Sequence, residues 1–64
     1  MNKKIIYTKG PIRLWRFDYG RYSRPSFMVE CDDREPRDFP AFDNPNNGTD
    51  ALSYIGDIRE ELKI

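Results

Sequence analysis

The chain has 64 residues, a single cysteine, no histidine and a formal net charge of zero. This implies one small domain near the lower size limit for unassisted folding. It has little room for an enclosed cavity, so function is expected on the surface. A lone cysteine excludes an internal disulfide and a thiolate-rich zinc site, and the missing histidine removes the usual base at neutral pH and the commonest metal ligand.

From the N-terminus, Lys4 to Thr8 is rich in Ile and Tyr and reads as a first strand, closed by the turn formers Lys9-Gly10-Pro11. The start of the chain is basic without the apolar stretch of a signal peptide, and no run approaches a membrane span. A cytoplasmic protein with no membrane partner is expected. The Asn47-Gly48-Thr49 sequon then has no glycosylation role.

Residues 12 to 19 read as the second strand, and the rest of the chain is arranged around it. Trp15, Phe17 and Tyr19 alternate on one side, with Ile12, Leu14, Arg16 and Asp18 on the other. Gly20 to Pro25 forms a turn or loop, in which Pro25 holds Arg24 extended. Ser26 to Asp32 is the third strand, with Phe27, Val29 and Cys31 facing one way and Met28, Glu30 and Asp32 the other. Cys31 in that row reads as a small buried hydrophobe.

Between Asp33 and Gly48 the alternation stops. Pro36, Pro40 and Pro45, with Asn44, Asn46, Asn47 and Gly48, oppose regular structure, so residues 33–48 are expected as a long loop. Phe39 and Phe42 in its middle either plug the open edge of the core, as a short fourth strand would, or are presented to a partner. Asp43 to Gly48 is similar to the start of a calcium loop, but Pro45 stands at the third position and Tyr54 at the twelfth, and neither can supply the required carboxylate. No metal or cofactor is expected.

Ala51, Ile55, Ile58 and Leu62 recur at helical spacing, with Leu52 widening the stripe, and predict a helix over about 50–62. Thr49 suits its N-cap, and Asp50 its first turn. Gly56 implies either close approach of the strands or a marginal helix. The expected fold is therefore α+β: a three-stranded antiparallel β-meander with one C-terminal α-helix packed on one face, over residues 1–64 as one domain. A single helix covers one face of a sheet and leaves the other at least partly open. Covering Phe27, Val29, Cys31 and Trp15 would turn the arginines outward. Covering the Ile12 and Leu14 side would leave the aromatic row exposed.

The charge is unevenly spread. Residues 1–28 hold seven basic residues and one acidic, and residues 29–64 hold four basic and ten acidic. Either one half presents a charged binding face or the halves attract within the fold. The cluster Glu30, Asp32, Asp33, Glu35 and Asp38 is interleaved with Arg34 and Arg37 and has no cleft signature of paired-carboxylate catalysis, so no enzyme is expected. Phe39-Pro40-Ala41-Phe42 followed by Gly48-Thr49-Asp50-Ala51-Leu52 and a helix resembles the sheet-to-helix half of HicB-type antitoxins, over less than half of the chain.

The expected function is a small non-enzymatic protein-binding module that acts by occupying the surface of a larger host protein or complex. Small chains that inhibit a host enzyme or defence complex often come from phages or mobile elements. The anchors expected are Trp15, Tyr19, Arg21, Tyr22 and Arg24, with Phe39 and Phe42 second, because aromatic and arginine side chains dominate binding hot spots. The same basic aromatic group could stack on single-stranded RNA or DNA. The acidic residues, with Asp57, Glu60 and Glu61, could imitate a phosphate backbone. A homodimer could close an exposed edge or face.

Overall fold

The computed structural model describes residues 2–21, 23–42 and 44–64. Four strands, β1 (Asn2–Lys9), β2 (Ile12–Asp18), β3 (Ser26–Cys31) and β4 (Arg34–Phe39), precede one helix, α1 (Asn47–Leu62). The strands form one antiparallel sheet in the order β1-β2-β3-β4. The α+β meander with a C-terminal helix is as expected, but the sheet has four strands and not three.

The additional strand arises within the stretch expected as a loop. Asp32 and Asp33 form a two-residue connection, and Arg34 pairs with Cys31. The next pairs are Arg37 with Val29, Asp38 with Met28 and Phe39 with Phe27, so β4 carries one residue more than β3 between Arg34 and Arg37. Pro36 falls in that bulge on an edge strand, where its missing amide costs no interior ladder bond. Only Phe39 of β4 is buried, which is why its sequence shows no apolar alternation.

At the first hairpin, Lys9 pairs with Ile12 across Gly10-Pro11. Gly10 has φ +56°, and the proline ring fixes a negative φ at Pro11. This sign pattern belongs to the type II′ turn, whose twist matches that of antiparallel strands. β1 then bulges between Ile5 and Tyr7, leaving both Ile5 and Ile6 exposed.

The core lies between one sheet face and α1: Ile12, Leu14, Val29, Cys31 and Phe39 meet Ala51, Ile55 and Ile58, with Tyr7, Phe27, Tyr54 and Leu62 at the rim. Register explains which face the helix takes. Leu14 stands opposite Val29 and Trp15 opposite Met28, so Val29 and Cys31 share a face with Ile12 and Leu14, and Trp15 lies on the other. The helix covers Val29, Cys31 and Phe27 together with Ile12 and Leu14, so the expected grouping of that β3 row with Trp15 is corrected, and the aromatic row of β2 is left on the other face. Fully burying Ile12, Val29 and Ile58 contributes about 1.5–3 kcal/mol each, most of what a domain this small can gather at single positions.

The helix begins at Asn47, ahead of Thr49, and for a tertiary reason. The buried Asn47 side chain donates through Nδ2 to the carbonyls of Pro25 (3.0 Å) and Phe39 (2.9 Å), tying the starts of β3 and α1 to the end of β4. Losing a buried pair of this kind would cost about 1–3 kcal/mol. Nearby, Asn44 Oδ1 accepts the Asn46 amide (2.9 Å) and its Nδ2 donates to Asp50 (2.7 Å), which orders the turn into the helix. Gly48 passes close to the Phe27 ring; a β-carbon there would lie 3.2 Å from Phe27 Cε2. Gly56 has no such neighbour, and Leu52 is exposed, so the buried stripe is narrower than its spacing suggests. At the other end Lys63 is left-handed (φ 59°), and the Arg59 carbonyl accepts the Ile64 amide at 3.0 Å. Among the described residues no helix is long and apolar enough to cross a membrane.

Candidate protein-binding face

With α1 on one side, the opposite side of the sheet is built from the other residues of each strand. Cross-strand pairing aligns Thr8, Arg13 and Glu30 in one row, Ile5, Trp15, Met28 and Asp38 in the next, and Lys3, Phe17 and Ser26 in the third. The apolar middle of this face is thus Ile5, Trp15, Met28 and Phe17, none of which belongs to the core cluster. Trp15 is held in place at its polar atom. Its Nε1 donates to Glu30 Oε1 at 2.9 Å, the oxygen that also accepts Arg13 Nε at 2.8 Å, and Arg13 Nη2 reaches Asp32 at 2.9 Å. Lys3 Nζ sits 5.6 Å from the indole centroid, within cation–π range. The Arg13 guanidinium, and then the indole N–H, hold the Glu30 carboxyl below its ordinary range, and the same pairing raises Arg13.

The face continues past the end of β2. Tyr19 lies beyond the strand and is 54 % exposed, followed by Gly20 at φ +130°. Arg24 Nη2 donates to the Ala41 carbonyl at 2.6 Å, and the Ala41 amide donates to Ser26 Oγ at 3.3 Å. These bonds draw the β2–β3 connection onto the segment after β4. As a result Tyr19, Ser23, Arg24, Pro40, Ala41 and Phe42 surround one open hollow of about 530 Å³. Phe42, at its rim, is 84 % exposed. A smaller hollow of about 310 Å³, lined by Phe17, Tyr19, Ser26 and Pro40, joins it to the sheet face.

The expected anchors thus separate. Trp15, Tyr19, Arg24 and Phe42 are brought along one continuous surface, although Arg24 already spends a donor on Ala41. Arg21 is exposed and lines a neighbouring hollow with Arg16, Asp18 and Tyr19. Tyr22 and Asp43 lie outside the described residues. Phe39 is buried, its ring 5.8 Å from that of Tyr54, with the Arg37 guanidinium 4.7 Å from the Tyr54 centroid. It belongs to the core and serves the surface only by shaping it. Ile5, Met28 and Pro40 join the face without having been expected. For Ile5 and Met28 the signal is cross-strand register, which no local pattern carries.

The acidic cluster is dispersed by the fold. Glu30 and Asp32 meet Arg13, and Asp33 pairs with Arg34 at 2.8 Å, which in turn reaches Glu61 at 2.9 Å. Arg34 first, and Cys31 second, lower the Asp33 carboxyl far below its usual range. One basic residue of the first half, Arg13, therefore meets two acidic residues of the second, while the Arg16 and Arg34 pairs each lie within one half. Among the described residues, no three histidine, cysteine or acidic side chains come together as a metal-binding group. No family model, curated protein or solved structure matches this chain.

Proposed function

We propose that this chain is a non-enzymatic protein-binding module that docks through the uncovered sheet face and the Tyr19–Phe42 hollow. The observation that carries this reading is Phe42. A phenyl ring 84 % exposed, next to a half-exposed tyrosine and continuous with an aromatic sheet face, is costly to leave in water and is the chemistry of a hot spot. Acting by surface occupation, it would inhibit or modulate a larger host enzyme or complex, as small phage- and mobile-element-encoded proteins do.

Protein is favoured over single-stranded nucleic acid because the guanidinium groups nearest the rings are already engaged. Arg13 is held by two carboxylates, Arg16 by Asp18 at 3.0 Å, and Arg24 by a backbone carbonyl. The test is capture of the tagged protein's partner from host lysate with and without nuclease, followed by affinity measurement on Tyr19→Ala and Phe42→Ala. One stoichiometric protein should survive nuclease, and each substitution should weaken binding by about 2 kcal/mol, roughly thirtyfold, at unchanged melting temperature. Recovery of nucleic acid that is lost on digestion, or unchanged affinity in both variants, would refute the proposal.

A further inference from the structure

A meander keeps sequence order as spatial order, so the basic β1 lies at one edge of the sheet, away from the acidic side chains of α1, which packs over β3 and β4. β1, one edge, carries Lys3, Lys4 and Lys9 and no acidic residue, and its outer side has no partner strand among the described residues. At the other edge, an open groove of about 400 Å³ runs between β4 and α1, lined by Asp50, Asp57, Ser53 and Tyr54 with Arg37. Asp57 has no ion-pair partner among the described residues, and the Arg37 charge is placed over the Tyr54 and Phe39 rings. The groove is therefore anionic, extended and walled on one side by the unpaired edge of a strand. Its complement is a basic extended segment, and β1 is one.

We propose that the β4–α1 groove receives the β1 edge of a second copy of this chain. The contact is heterologous, joining opposite edges of the sheet, so it propagates from copy to copy and does not close on a two-fold axis. Ile6, exposed in the single chain, would be covered by it. Pro36 has no amide to donate and the β1 bulge twists the edge, so any shared ladder is confined to Arg37–Phe39. Charge, more than a long ladder, holds the contact. It is weak and salt-sensitive, since exposed pairs are screened over about 10 Å at 0.1 M salt. None of this depends on the aromatic face.

The experiment is sedimentation of the purified chain across concentration, in about 0.05 M and about 0.5 M salt. It is repeated for Lys4→Glu/Lys9→Glu and for Asp57→Lys, with melting temperature as the check on folding. These positions avoid the Trp15–Tyr19–Phe42 surface. The wild type should assemble with concentration at low salt and dissociate at high salt. Each charge reversal should abolish assembly at unchanged fold, and mixing the lysine and aspartate variants should restore it, because each then offers the edge that the other's groove requires. A chain that stays monomeric at low salt and high concentration, assembly that survives both reversals, or mixing that restores nothing would overturn the proposal.

Discussion

A single oxygen of Glu30 accepts both the Arg13 guanidinium and the Trp15 indole N–H, so one carboxylate fixes the largest ring on the uncovered face. Its pKa lies below the ordinary value of 4.5, so the unfolded chain takes up the proton first. The stability this supplies is fully present above 4.5 and is lost as pH falls through the lower folded value. Glu30→Gln should flatten the acid limb of the stability profile. It should also remove a low-pH step in the fluorescence of Trp15, the only tryptophan, as measured by acid titration of both proteins. A step of unchanged size in the variant would assign it to other carboxylates, of which Asp33, lowered by Arg34, is the strongest alternative. Single residues were unevenly legible. Phe39 and Phe42 look equivalent in sequence, yet one is core and the other is the most exposed aromatic described, because β4 ends between them. Asn47 reads as loop or sequon, and nothing local to it shows that carbonyls 8 and 22 residues away await its amide.

At the level of elements, β2, β3 and α1 could be read from periodicity because each buries a regular row against a partner. β4 could not, since an edge strand that buries one side chain needs no alternation and tolerates Pro36. The aromatic row was also legible as a row, but which face the helix would take was not. That follows from Leu14 pairing with Val29, a fact about two strands that neither contains alone. The helix carries one evident weakness: Gly56 is exposed, and a β-carbon there would meet nothing within 4 Å. Gly56→Ala should therefore stabilise the protein by about 0.5–1 kcal/mol, read as a higher urea midpoint at unchanged slope. A neutral or destabilising result would refute this reading of the helix.

For the whole molecule, the consequential fact is that α1 packs chiefly over β3 and β4, with β1 at the far edge of the sheet. The domain is drawn out accordingly, measuring 38 × 20 × 17 Å. The sheet is thus anchored at one side only, by the Asn47 amide and the core beneath the helix, while β1 is held by its ladder to β2 and the packing of Tyr7. Such a strand can open without the rest. Amide hydrogen exchange should show β1 exchanging through a local opening well below the global unfolding free energy, with β3 and α1 protected to the global limit. Equal protection across all four strands would show the sheet to open as one unit. The strand held mainly by a single ladder is also the one that carries the lysines and the two exposed isoleucines. An edge strand is thus chemically equipped to be captured elsewhere once it opens.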